Sequence, residues 1–316
     1  MTFFGLQLHP QYTTWDEMRD AALLAEQCGW DVLMTWDHFV PLMGDVTGPN
    51  LEGWQVLAAF GAITKKPQIG MLVTGNTYRH PAVLANMAST LDNITNGRAV
   101  LGIGAAWNEH EHKMYGIEFD TPAIRLAKLR EATRIIRGLL DKGKVSYSGK
   151  YYTLTDATLG TRPIQKRLPI LVGGGGEQVT LKLVAKYGDA NNVGAGIENV
   201  RRKEAILVQH CETVGRDPAE IERTTGLGTV IIRDSRAEAE RVHREIFERN
   251  GKAQAWKDQP VGTPEDVAEK LAPFPEIGYR HLVAGFPGPH DEESMTRLAT
   301  EVRPMLERGW PNPPKG

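Results

Sequence analysis

Cysteine is scarce in this chain. Its two residues, Cys28 and Cys211, each sit inside a helical pattern, and neither belongs to a spacing that would make a disulfide framework or a metal motif. Such usage fits a reducing cytoplasm. Long apolar runs are missing too, since none approaches the roughly 20 residues that cross a bilayer. The opening MTFFGLQLHP has no basic stretch followed by an apolar run, so no signal peptide is expected. An excess of one charge is also lacking. A formal net charge of −2 gives no pull toward nucleic acid or anionic membrane. These absences leave a soluble, cytoplasmic protein of 316 residues. That length suits two average domains or one large α/β barrel.

What is present is an alternation of strand-like runs and amphipathic helices from end to end. Strands are expected at FFGLQL (3–8), DVLMT (31–35), QIGMLV (68–73), AVLGIG (99–104), LPILVGG (168–174), DANNVG (189–194), TTGLGTVII (224–232) and YRHLVAGF (279–286). Thr14 and Glu17 form a capping-box pattern that opens the first helix, and Gly29 closes it. Pro81 begins a helix over 81–94, and further helical patterns cover 124–140, 179–188, 199–215 and 236–250. Thr263, Pro264 and Asp266 start another, and Met295, Leu298, Val302 and Met305 line a closing helix. No helix is assigned between the second and third strands. The Tyr- and Gly-containing stretch at 143–163 reads as a hairpin-like insertion, and 309–316 as a Pro/Gly tail. Eight strand–helix units with no linker-like shift in composition predict a single-domain (β/α)8 TIM barrel over 1–316, with insertions in the βα loops.

A barrel of this kind carries its chemistry at the C-terminal ends of its strands. Polar residues do concentrate there: His9 after the first strand; Trp36, Asp37 and His38 after the second; Thr74, Gly75, Asn76 and Tyr78 after the third; Trp107, Asn108 and Glu109 after the fourth. The fifth strand runs into four consecutive glycines, Gly173 to Gly176, ahead of a helix. Glycines let backbone N–H groups approach an anion, and a helix start adds its dipole, so this turn reads as a phosphate cradle. Its spacing matches neither a Walker loop nor a G-x-G-x-x-G fingerprint. Four glycines with no structural return favour the cradle over a merely flexible turn. His38 lies between Trp36 and Phe39, and an imidazole in that place is either a hydrogen-bonded strand end or a catalytic group. Asp37 can tune it or accept a hydrogen bond from a ring system. His110 and His112, two apart on a helix, point away from each other, and no metal site is expected. Glu109 and Asp37 could in principle face each other as a glycosidase pair, but nothing in their context marks one.

With those residues in view, the chain resembles the luciferase-like monooxygenase superfamily, and within it the branch of oxidoreductases that use the deazaflavin coenzyme F420. The resemblance rests on WDHF, on VTGNTYRHPAVLANMASTLDNITNGRAVLGIGAAWNEHEHKMYGI and on LPILVGGGGEQVTLKLVAKYGDA. It implies that Asp37 and His38 lie beside the tricyclic ring, and that a non-prolyl cis peptide falls somewhere in 71–75. Thr74, Gly75, Asn76 and Arg79 would lie near the cofactor. Gly104, Ala105, Ala106, Trp107 and Asn108 would meet its ribityl chain and phosphate, and Gly174, Gly175 and Gly176 would complete the cradle. Relatives often carry an acidic-Gly-Trp run after the sixth strand, whereas Asp189, Ala190, Asn191 and Asn192 stand here. The implied reaction moves a hydride to or from the deazaflavin C5, with His38 carrying the proton and Asp37 orienting the ring or stabilising the histidine's charge. The substrate is a small molecule met by 41–54, the Tyr147–Tyr152 region, Trp256 and Phe286. A reduced-FMN monooxygenase is the alternative within the same fold, and a catalytically silent flavin-binding protein is the alternative from another class. Members commonly dimerise, so a homodimer is the oligomeric expectation, with no nucleic-acid or membrane partner.

Overall fold

The computed structural model describes residues 2–194, 196–252 and 258–308; Trp256 and the tail at 309–316 lie outside the described residues. Eight parallel strands form a ring: β1 (Phe3–Leu8), β2 (Val32–Thr35), β3 (Gln68–Met71), β4 (Ala99–Gly104), β5 (Ile170–Gly173), β6 (Ala190–Val193), β7 (Glu222–Thr229) and β8 (His281–Phe286). Strand β8 returns to β1 in register from Phe3↔His281 to Leu8↔Phe286, which closes the barrel. All six residues of β4 and of β8 are buried, as strands covered on both faces must be. Inside, Val32, Met34, Val100, Leu171, Ala190 and Val283 fill the bore, with Leu72 and Val73 packed on them. The barrel is therefore plugged with side chains, and a ligand is confined to its rim.

The helices follow the expected alternation. Helix α1 (Trp15–Cys28) carries the full Thr14/Glu17 capping box and ends on a left-handed Gly29. Helix α2 (Gly53–Ile63) was not expected, and the reason is visible in its residues. GWQVLAAFGAI is apolar almost all round, so it lacks the polar stripe that reveals an amphipathic helix. Its N-cap is Glu52, whose carboxylate takes the Gln55 N–H, rather than a Ser or Thr. The other helices that matter for the site are α3 (Pro81–Ile94), α4 (Glu109–Met114), α5 (Pro122–Lys142), α6 (Thr180–Tyr187) and α7 (Ile197–Val214). None of the described helices is long and apolar enough to cross a membrane.

The insertion is an antiparallel hairpin, Lys144–Ser148 against Thr153–Thr158. Glu131 of α5 pins its turn by accepting the N–H groups of Lys150, Tyr151 and Tyr152. Two expectations are corrected. Asp189–Asn192, set against the relatives' run after the sixth strand, belongs to that strand instead: the strand expected at 189–194 is Ala190–Val193, and Asp189 at its start is bound to Arg137, Arg167 and the Ile170 N–H. The closing helix is not continuous either. Glu292–Arg297 passes through a π turn, Leu298–Val302, into Arg303–Glu307. Pro304 has no N–H to offer there, and the wide turn shifts the buried position from Met305 to Leu306.

Candidate active site

Strand β2 delivers Trp36, Asp37 and His38 to the rim, where their side chains take different partners. Asp37 is buried and forms a two-pronged ion pair with Arg79, at 2.5 and 3.0 Å; Arg79 also reaches Glu52 at 2.8 Å. Burial raises the Asp37 carboxyl to about 6, with Arg79 opposing the rise. The carboxylate partner of His38 is Glu111 of α4, at 2.7 Å from Nδ1. Glu111 also accepts the Phe39 N–H at 3.0 Å and the Tyr78 hydroxyl. Burial pushes the Glu111 carboxyl upward, but the bonds from His38, Tyr78 and Phe39 outweigh it and hold it below the ordinary glutamate range. Burial and Glu111 together push the Tyr78 phenol far up, so it keeps its proton.

An ionised Glu111 can only accept, so His38 Nδ1 must donate to it. That fixes the tautomer and leaves Nε2, which has no protein partner among the described residues, as the working nitrogen. His38 is the polar wall of a cavity of about 400 Å³. Trp36, Leu42, Tyr78 and Trp107 flank it. Its floor runs along Leu72, Val73, Thr74 and Gly75, and its far end along Gly104, Ala105, Ala106, Gly173, Gly174 and Thr180. A left-handed Ala106, at φ 63°, precedes the exposed Trp107, whose ring meets His38 edge-on at 5.5 Å.

The floor is held from several sides. The non-prolyl cis peptide in 71–75 is Leu72–Val73, and Gln7 of β1 donates to the Leu72 carbonyl at 2.7 Å. Trp54 of α2 donates its indole N–H to Thr74 Oγ1 at 3.0 Å. Asn76 donates to the Tyr152 hydroxyl of the insertion at 3.2 Å. The four glycines do have a structural return, contrary to the sequence argument. A Cβ on Gly173 would lie 2.8 Å from Val73 Cγ1, one on Gly175 3.2 Å from Lys203 Cε, and one on Gly176 2.7 Å from Thr180 Oγ1; Gly174 adopts φ +112°.

The cavity thus unites His38, Thr74, Gly75, Gly104, Ala105, Ala106, Trp107 and Gly174. Asp37, Asn76, Asn108, Gly175 and Gly176 stand outside its lining. Tuning of His38 by Asp37 gives way to Glu111, because Arg79 takes the Asp37 carboxylate on its other side. The sequence reading missed Glu111: α4 is six residues long, too short for a periodicity that would show its inward face. His110 is exposed. His112 Nδ1 donates to the Asn108 carbonyl at 2.6 Å, so Nε2 accepts from Thr77 at 2.7 Å.

Comparison with known proteins agrees with this architecture. The sequence profile described as luciferase-like monooxygenase matches residues 1–259. An F420-dependent glucose-6-phosphate dehydrogenase of Microbacterium testaceum is 30% identical, over 96% of this chain and 97% of its own length. A protein of the same name from Kineococcus radiotolerans is 29% identical, over 92% and 93%. Among solved structures, an F420-dependent secondary alcohol dehydrogenase in complex with an F420-acetone adduct superposes with a TM-score of 0.82. It is 21% identical and covers 96% of this chain and 99% of its own. The chain belongs to the luciferase-like monooxygenase family of oxidoreductases.

Proposed function

We propose that this protein is an F420-dependent oxidoreductase that moves a hydride between the deazaflavin C5 and a small organic substrate. The observation that carries the reading is the His38–Glu111 pair on the cavity wall. It presents an imidazole nitrogen of fixed tautomer across from a backbone floor able to back a flat ring. The other end of the cavity suits the phosphate of such a ligand. Thr180, 5% exposed, lines the cavity with a hydroxyl that makes no hydrogen bond among the described residues. The backbone N–H groups of Gly175, Gly176, Glu177 and Gln178 are likewise without acceptors there. The names of the relatives at 29 and 30% identity support the deazaflavin over FMN.

When bound, the deazaflavin supplies the hydride chemistry. The chain's own residues supply the proton and the alignment. His38 Nε2 takes the proton of a substrate alcohol, or returns it to the carbonyl oxygen in the reverse direction. Glu111 balances the positive charge that His38 then carries, while Tyr78 and the Phe39 N–H keep Glu111 ionised and immobile. Asp37 acts as a positioning residue through Arg79, which ties the turn after β3 to Glu52 at the head of α2. The test is a fluorescence titration with F420 beside FMN, followed by His38→Ala. F420 should bind and FMN should not, and the variant should hold F420 within about threefold while losing about 10²-fold or more in turnover. Binding of FMN alone sinks the cofactor choice, and unchanged turnover removes His38 from proton transfer.

A further inference from the structure

The glycine turn rests on an ion cluster that the proposed reaction does not use. Glu177, the first residue after the glycines, holds Lys203 Nζ at 2.7 Å and an Arg202 guanidinium nitrogen at 2.5 Å. Both cations come from α7. Lys203 is 8% exposed and its stem lies against the turn, as the 3.2 Å approach of Cε to a Cβ on Gly175 indicates. Apart from these two cations, the contact that holds Glu177 among the described residues is through its backbone, where His210 Nε2 donates to its carbonyl at 2.8 Å. Its side chain is 29% exposed. The Lys203 ammonium holds the Glu177 carboxyl below its usual range, with Arg202 adding to the effect.

A buried ammonium cannot remain without a counter-ion, but the counter-ion can be exchanged. Lys203 is fixed by packing, while Glu177 sits on a turn with a route to water. An arriving anion would therefore displace the carboxylate and leave the lysine in place. The Thr180 hydroxyl lines the cavity without a hydrogen bond among the described residues, and the backbone N–H groups of 175–178, in the turn just before it, lack acceptors there too, so this turn offers a seat for one anionic group. Lys203 and Arg202 lie past the glycines and address a second.

We infer that Arg202 and Lys203 form a subsite for a carboxylate carried beyond the ligand's phosphate, with Glu177 as its exchangeable internal stand-in. The inference rests on the deazaflavin reading, since coenzyme F420 extends from its phosphodiester into a polycarboxylate tail whereas FMN ends at the phosphate. Specificity for the tailed coenzyme would then be written in α7, away from the ring. Fluorescence titrations of the full-length chain with F420 and with deazaflavin 5′-phosphate test this. Lys203→Gln should weaken F420 about tenfold and the 5′-phosphate less than about twofold. Glu177→Gln, which keeps a neutral acceptor on Lys203, should tighten F420 about threefold, and that gain should vanish in the double variant. Equal losses for both ligands in Lys203→Gln, or unchanged or weaker F420 binding in Glu177→Gln, overturn the subsite and leave the cofactor assignment standing. If neither deazaflavin binds the wild-type protein, the cofactor assignment fails and the subsite falls with it. Should Lys203→Gln not fold, Glu177→Gln decides alone.

Discussion

Acid should destabilise this protein through two histidines that belong to no catalytic step. His9 at the end of β1 is 6% exposed and stacks on Trp36, with ring centroids 4.1 Å apart. His290, beyond β8, is 7% exposed and donates from Nδ1 to the Phe286 carbonyl at 3.1 Å. Burial lowers His9 to about 3, with His290 adding to the fall, and burial lowers His290 to about 4. The unfolded chain takes up these protons near 6.5 and the folded one does not, so stability present above pH 6.5 is lost as pH falls. At about 1.36 kcal/mol per unit, pH 5.0 costs about 2 kcal/mol for each ring. Asp37 works in the opposite sense. Its folded value of about 6 lies above the ordinary carboxylate value, so its protonation offsets about 1.4 kcal/mol at pH 5.0. The net contribution of these three groups between pH 7.5 and 5.0 is then a loss of about 3 kcal/mol. Equilibrium urea unfolding followed by tryptophan fluorescence measures it. His290→Asn retains a donor for the Phe286 carbonyl and cannot titrate, so its loss over the same interval should be about 2 kcal/mol smaller. Because Asp37 is common to both proteins, it cancels in that difference. Identical pH dependence in the variant and the wild type would refute the reasoning.

Other consequences can be checked separately. Glu111→Gln leaves His38 without an ionised partner and should cut turnover about 10²-fold while F420 affinity stays within about threefold; wild-type turnover in the variant would dismiss the pair. Gly53→Ala places a Cβ 2.2 Å from the Trp36 carbonyl oxygen, so α2 must back away at a cost of about 1–3 kcal/mol. A thermal melt that does not move would show that the helix is not so closely seated. Glu131→Ala leaves three N–H groups of the insertion turn without their acceptor. Amide exchange over Lys144–Thr158 should quicken while the barrel strands keep their protection, and equal protection in the variant would mean that the hairpin holds itself.

Much of this fold was legible from local patterns. The 3.6-residue spacing and Pro81 locate α3, the continuous apolar run locates β4, and the Thr14/Glu17 pair locates the start of α1, each with the observed limits. Where one local rule could not speak, the reading failed. Helix α2 is hidden by being apolar on nearly every side, and Pro304 with a π turn shifts a register that simple spacing carries straight on. At the site, the strand-end rule brought His38, Thr74, Gly104 and Gly174 to one cavity. The partners of its charges were not legible. Glu111 lies 73 positions from His38, and Arg79 lies 42 from Asp37, and no periodicity connects residues so far apart. The glycines were read through the ligand they could hold, whereas the side chains they accommodate, Val73 and Lys203, come from elsewhere in the sequence.

Val73 gives those glycines a second meaning. Its two methyls lie under β4 and β5, where a Cβ on Gly104 would come within 3.0 Å of one and a Cβ on Gly173 within 2.8 Å of the other. A single methyl added to either strand would press the valine toward the cavity that it lines, with no polar side chain of the site replaced. The depth of the cavity is thus an adjustable dimension, separable from its chemistry. Relatives built on the same barrel could admit thicker or thinner ligands by changing only what stands beneath Val73, with the histidine, its glutamate and the anion seat left untouched.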